Sequence, residues 1–282
     1  MARLRDEGLG LAAISYDSTE ILEAFSREHG ITFPLLSDVG SATIKSYGIL
    51  NTVVEAALAS TNIDPALQAQ VARYVTGAEP AARHSGIPFP GTFVVDAQGG
   101  VTSKFMEDSY RERTTISNIM VRTGVGEAPV QGTTVSTDHL ELTTYPSDAA
   151  ISRMNHVSLV LDVTPRPGMH VYAPGAEAEG YRVISLTLAP QSSVRPLSLT
   201  YPDSEIYYFE PLDERVPVFQ RPFRLLQEVV LENEPDGDSM TMMGTLEYQA
   251  CDDKICYNPV SVPLSWTMSL RPRVGRVIAN PQ

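Results

Sequence analysis

The strongest constraint on the fold is a change of pattern midway along the chain. Up to about residue 123, short apolar runs alternate with stretches of helical periodicity; from Thr133 onward that periodicity is mostly lost, and β-rich runs follow one another between Pro and Gly. One chain with two patterns calls for two domains, and 282 residues suffice for both. The boundary is expected near residues 124–132, around Gly124-Val125-Gly126, with domains over 1–125 and 130–282.

In the first part, Leu9 to Ser15 reads as a buried strand and Ser18 as the cap of a helix that Gly30 closes. Phe33 to Asp38 is a second extended piece. Ala42 to Tyr47 and Pro65 to Val75 are read as helices, the latter with Asp64 as cap and Pro65 in its first position. Gly91 to Asp96 is a β-branched strand, Ala97 to Gly100 a turn, and Val101 to Phe105 the returning strand of a hairpin. Tyr110 to Arg122 is expected as a final helix. The alternation predicts an α/β domain, a central sheet flanked by helices. The second part offers Val157–Val163, Val183–Leu188, Phe223–Leu231, Met240–Tyr248 and Val260–Leu270 as strands, an all-β sandwich.

Charge narrows the function classes. The net charge of −13 argues against nucleic acid as a partner and against docking on an anionic membrane surface. No run approaches the roughly 18 apolar residues of a transmembrane segment, and the N-terminal residues lack the apolar region of a secretory signal.

Residues 9–113 resemble the thioredoxin-like redoxins of the AhpC/TSA group, through Leu11-Ala12-Ala13-Ile14-Ser15-Tyr16-Asp17-Ser18, Phe33-Pro34-Leu35-Leu36-Ser37-Asp38, Tyr47-Gly48-Ile49 and Pro90-Gly91-Thr92-Phe93-Val94-Val95-Asp96. The resemblance implies that Pro90 occupies the position that is often a cis-proline beside the catalytic thiol. That thiol lies upstream of the matching part, and residues 1–250 contain no Cys. The segment is therefore read as a thioredoxin-like domain incomplete at its N-terminus, a degenerate scaffold being the alternative. Peroxidase activity is not expected of the chain as it stands, because the thiolate is the nucleophile of that chemistry.

Both cysteines of the chain sit close together, as Cys251 and Cys256 in Tyr248-Gln249-Ala250-Cys251-Asp252-Asp253-Lys254-Ile255-Cys256-Tyr257-Asn258-Pro259. On one straight strand an odd separation would point them to opposite faces, so they meet only if the chain reverses between them. Asp252 to Ile255 suits such a turn. Three local readings are open: a redox-active pair, a structural staple, and a metal site. The staple closes a loop worth only about 2 kcal/mol. Zinc wants four ligands, and the nearest His in sequence is His170, so neither metal nor cofactor is expected.

Residues from about 130 to 270 resemble the N-terminal periplasmic domain of the thiol:disulfide interchange protein DsbD, through Tyr248-Gln249-Ala250-Cys251, Cys256-Tyr257, Pro259, Val262-Pro263-Leu264-Ser265 and Pro167-Gly168-Met169-His170-Val171-Tyr172. The loop between the cysteines is one residue shorter than in the best-known members. The resemblance implies an immunoglobulin-like sandwich in which Cys251 and Cys256 are the redox pair, Tyr172 lines the site, and an aromatic cap comes from Tyr207, Tyr208 or Phe209. It also implies a thioredoxin-fold redox protein or membrane electron-transfer domain as partner, and a periplasmic or otherwise extracytoplasmic location. The expected activity is thiol–disulfide exchange, as an oxidoreductase. Its rivals are a non-enzymatic interaction module with a structural disulfide, and an antioxidant thiol peroxidase in a longer parent protein. Asp252 and Asp253 should disfavour a thiolate, so a more reactive partner thiolate is expected to attack the pair.

Overall fold

The computed structural model describes residues 2–53, 87–107, 112–125, 132–210, 213–233 and 237–271, with 56, 59, 65, 68 and 235 as isolated positions. The chain is mostly β with some helices and divides into two compact units, Met1–Arg113 and Thr114–Gln282.

In the first unit Ala13–Ser15 pairs in parallel with Leu35–Ser37, Ile14 facing Leu36 in register. The Thr19–His29 helix follows, ended by Gly30 at φ 61°, a left-handed conformation that costs glycine little. Ser18 has the backbone of an N-cap but its side chain makes no capping bond. Its hydroxyl goes instead to the Glu20 carboxylate, which it holds below the usual range. Asp38 accepts from the amides of Thr43 (3.1 Å) and Ile44 (2.9 Å) and so starts the short Ala42–Ser46 helix. Gly91–Val95 and Val101–Met106 form the expected hairpin. Asp96 Oδ1 accepts from Gln98 N and Gly100 N across its turn.

Two expectations for this half change, and a third falls outside the described residues. Among the described residues its strands form two separate pairs rather than one central sheet. The helix expected over Pro65 to Val75 lies almost wholly outside the described residues. No peptide bond among the described residues is cis, so Phe89–Pro90 is trans, the ground state of an X–Pro bond. Pro90 sits just ahead of its strand, where its missing N–H costs no ladder bond.

In the second unit two sheets bury one core between them. The larger runs in the order Val194–Thr200, Phe223–Leu231, Asn155–Pro165, Leu140–Pro146, Thr133–Ser136. The other runs Ser185–Leu188, Ser239–Tyr248, Val260–Leu270, Ala150–Ile151. Val260–Leu270 shows the period of two that a half-buried strand requires: Val262, Leu264, Trp266 and Met268 point inward and their neighbours outward. Trp266 is 2 % exposed, and its indole N–H donates to Thr144 Oγ1 at 2.8 Å across the core. A third sheet, in the order Glu205–Phe209, Glu214–Phe219, His170–Tyr172, Ala250–Cys251, carries the cysteine hairpin.

The boundary falls at Arg113/Thr114 rather than near 124–132, because the last helix belongs to the second unit. It covers Ile116–Thr123, not Tyr110–Arg122. Thr115 Oγ1 accepts from Asn118 N (3.0 Å) and fixes its start; residues 108–111 lie outside the described set. Asn118 accepts from Ser158 Oγ at 2.7 Å, and Arg122 pairs with Glu228. The helix thereby covers the outer face of Asn155–Pro165, which explains why that strand is buried on both sides.

Candidate functional site

The cysteine hairpin is built by Asp252. Its Oδ1 accepts from Lys254 N and Ile255 N, both at 2.7 Å, and its Oδ2 from Tyr257 OH at 2.9 Å. These bonds, the Lys254 amide first, hold its carboxyl below the usual range. Asp252 N–H donates to Ile255 O, and Tyr257 N–H to Ala250 O, so the chain reverses as its polar turn residues require. Cys251 and Cys256 face each other as an antiparallel bridge, their Cα atoms 4.2 Å apart, and are joined in a disulfide. The Gln249 side chain ties the hairpin down: Nε2 donates to Tyr257 O, and Oε1 accepts from Arg182 N.

The two sulfurs are unequally placed. Cys251 is 1 % exposed, within a cluster of Tyr172, Ala176, Val183, Val216 and Val218, while Cys256 is exposed. The Tyr172 hydroxyl lies 3.0 Å from Cys251 Sγ and 3.3 Å from Cys256 Sγ. A disulfide sulfur carries no proton, so the hydroxyl is the donor available to both. Burial raises the Tyr172 pKa well above 10, helped by Tyr181 and by Glu214; the phenol stays protonated. The Tyr181 ring stacks on Tyr172, centroids 4.1 Å apart, and its hydroxyl donates to Glu214 Oε2 at 2.5 Å.

Of the three candidate cap residues, the structure brings one to the hairpin. The Tyr207 ring packs 4.4 Å from His170, and its hydroxyl donates to Asp253 Oδ1 at 3.1 Å. Strand alternation turns Tyr208 the other way: it is 46 % exposed, bonds Asp213, and carries the Arg215 guanidinium over its ring. Phe209, half-buried, pairs with Glu214 at the strand end. Pro90 lies in the other unit.

Tyr181 and Glu214 were not singled out from sequence, and His170 was given no role at the site. His170 lies directly opposite Cys251 in the sheet register, although the two are far apart in the sequence. It is 2 % exposed, and burial lowers its pKa against the opposing pull of Asp253 and Asp252. Tyr181, Glu214 and Asp252 complete the surroundings. The spacing of His170 and Tyr172, two apart in a strand, signals one shared face; nothing local signals Tyr181 or Glu214.

Comparison with known families divides the chain in the same sense. Residues 1–104 match the AhpC/TSA family, and residues 143–262 match the family described as thiol:disulfide interchange protein DsbD, N-terminal. No curated protein matches the chain. Among solved structures, the reduced N-terminal domain of DsbD from Neisseria meningitidis is 15% identical, over 40% of this chain and 81% of that one, with a TM-score of 0.28. The N-terminal periplasmic domain of ScsB from Proteus mirabilis is 17% identical, over 46% of this chain and 49% of that one, with a TM-score of 0.33. The chain thus spans about half the length of that ScsB domain. Among the described residues, no helix is long and apolar enough to cross a membrane.

Proposed function

We propose that the Cys251–Cys256 pair exchanges disulfides with a thioredoxin-fold redox protein or a membrane electron-transfer domain, making the second unit, an immunoglobulin-like sandwich, an electron relay in the periplasm or another extracytoplasmic compartment. The observation that carries this reading is the asymmetry of the pair: Cys256 is open to solvent, and Cys251 is buried against the Tyr172 hydroxyl. An incoming thiolate can reach Cys256 Sγ. Its attack leaves the electron pair of the broken S–S bond on Cys251, where Tyr172 donates a hydrogen bond to the sulfur. Tyr207 acts as the cap, its hydroxyl latched to Asp253 beside the pair. The match of residues 143–262 to a thiol:disulfide interchange family supports the same chemistry. Residues 1–250 hold no Cys, so all thiol chemistry of this chain falls to the pair.

The test is to trap the intermediate. Reduced Cys251→Ser protein, which keeps the exposed Cys256, should capture an oxidised thioredoxin-fold protein as a mixed disulfide that dithiothreitol releases. Cys256→Ser should capture far less. Failure of both variants to capture any such protein would sink the relay, and a redox potential below about −300 mV would mark the bridge as a structural staple.

A further inference from the structure

The exchange proposed above depends on where the Tyr172 hydroxyl points. It reaches Cys251 Sγ at 3.0 Å and Cys256 Sγ at 3.3 Å, and both contacts are lost if the phenol ring turns away. A tyrosine ring pivots about two side-chain bonds, and the preference at the second is broad. A fixed aim therefore needs neighbours that define the plane of the ring. Ala176, Val183, Val216 and Val218 of the cluster around Cys251 are too small or branched to do so. Two rings can: His170 meets Tyr172 edge-on, at 5.6 Å and 88°, and Tyr181 lies flat against it, at 4.1 Å and 13°.

Tyr181 is brought back over Tyr172 by a folded excursion of the chain. After Tyr172 the backbone leaves the sheet through Gly175, whose φ of 104° suits glycine and where a side chain would meet Pro217 Cγ at 3.2 Å. The 3-10 turn Ala176–Glu179 follows, and Gly180 ends it. Tyr181 N–H then donates to Ala176 O at 3.3 Å, and Arg182 N–H to Gln249 Oε1 at 3.0 Å, which ties this return to the cysteine hairpin. The far end of the ring is held as well, since the Tyr181 hydroxyl donates to Glu214 Oε2 at 2.5 Å, a charge-assisted bond. Strand alternation fixes Glu214 in turn: it shares a face of Glu214–Phe219 with Val216 and Val218, both buried in the same cluster.

We propose that Tyr181, anchored by Glu214, is a positioning residue for the exchange: its ring holds the Tyr172 hydroxyl against the Cys251 sulfur, where that hydroxyl stabilises the leaving thiolate. The inference rests on the exchange reading above. The partner thiolate attacks Cys256 Sγ, the bond from the partner sulfur to Cys256 forms, the Cys251–Cys256 bond breaks, and its electron pair stays on Cys251. Tyr172 keeps its proton throughout and donates it as a hydrogen bond to the new thiolate. A bond to a charged sulfur is stronger than one to a neutral sulfur, so an aimed hydroxyl favours the thiolate over both the disulfide and the thiol. The Tyr181 hydroxyl goes to Glu214, so Tyr181 acts on the sulfur through Tyr172.

The other aromatic groups of the site do not take this place. Tyr257 gives its hydroxyl to Asp252, and Tyr207 gives its own to Asp253. His170 supports the edge of Tyr172, but the Tyr207 ring rests on it at 4.4 Å, so its own position depends on the cap that a partner must displace. Tyr181 takes its support from Glu214 and from the return tied to Gln249, neither of which belongs to the cap.

A double-mutant cycle tests the role. Cys256→Ala protein carries Cys251 as its single thiol, so the pH midpoint of its alkylation by iodoacetamide reports the Cys251 thiol, while the plateau reports access. In that background Tyr172→Phe, Tyr181→Leu and the two together are compared, each checked by thermal melting. Tyr172→Phe should raise the midpoint about one pH unit, a roughly tenfold loss of thiolate at neutral pH. Tyr181→Leu should raise it nearly as far, and the double change no further. Tyr181→Phe, which keeps the stacked ring, should recover most of the loss. With both cysteines present, Tyr181→Leu should slow reduction of the disulfide by reduced thioredoxin about tenfold. If Tyr181→Leu shifts the midpoint equally with and without the Tyr172 hydroxyl, the ring acts by packing or solvation alone, and the positioning role is wrong while exchange stands. If the midpoints couple as expected but reduced thioredoxin never reduces the wild-type disulfide, the exchange reading falls, and Tyr181 has no exchange to serve. Should Tyr181→Leu fail to fold, Glu214→Ala, which releases the ring without removing it, takes its place in the cycle under the same criterion.

Discussion

His170 shows how one buried side chain sets a pH limit. It faces Cys251 across the sheet, and burial holds its pKa below the ordinary 6.5. In the unfolded chain the imidazole takes its proton near 6.5; in the folded chain it does so only at lower pH. Between those values the unfolded state binds more protons, so stability falls as pH falls below about 6.5, while above it the effect vanishes. A second loss should begin below about 3.8, because Asp252 has a lowered carboxyl pKa in the fold and its turn bonds need the ionised form. Denaturant midpoints measured from pH 8 to pH 3 in steps of about half a unit should thus decline in two stages. His170→Gln should flatten the upper stage and Asp252→Asn the lower. A His170→Gln profile identical to the wild type would refute the first assignment.

At the scale of elements, the Glu205–Phe209 strand shows what alternation decides. Tyr207 and Tyr208 are adjacent in sequence and opposite in direction, so only Tyr207 meets the cysteine hairpin. Removing the ring with Tyr207→Ala should speed reduction of the disulfide by a small thiol such as dithiothreitol several-fold, because access limits the attack. Tyr208→Ala should leave that rate unchanged; equal rates in both variants would deny Tyr207 a capping role. The same contrast marks what could be read from sequence. Phe223–Leu231 and Val260–Leu270 were legible at their ends, since apolar runs between turn residues carry the signal. The Gly91 hairpin was legible through its turn residues, and the cysteine hairpin through odd spacing across a polar stretch. The helix expected from Tyr110 begins at Ile116, because Thr115 caps it and anchors to Asp148 at 2.7 Å, a contact across 33 positions. Glu214 and Tyr181 escaped for the same reason: their meeting depends on how the strands pair, not on any local pattern.

For the whole molecule, the decisive fact is where the core lies. Every buried residue of both hydrophobic clusters falls between Leu140 and Met268. The disulfide spans a sequence separation of only 5, so its contribution through chain entropy is about 2 kcal/mol and the fold does not hang on it. Residues 114–282 should therefore fold alone, unfold in one cooperative transition, and exchange disulfides at the rate of the full chain. A fragment that begins at residue 132, where the sequence pattern places the domain boundary, should behave differently. It lacks the Ile116–Thr123 helix, whose Ile119 and Met120 are 7 % and 1 % exposed against the outer face of Asn155–Pro165. Burying two such side chains is worth about 1.5–3 kcal/mol each. The loss of Asn118 would also leave Ser158 without its partner, on a strand position that is fully buried. Urea unfolding of the two fragments should accordingly show the shorter one less stable by about 3 kcal/mol or more. Equal stabilities would mean that the helix is an appendage and that the boundary lies after it; a large difference places the helix within the unit that carries the cysteine pair.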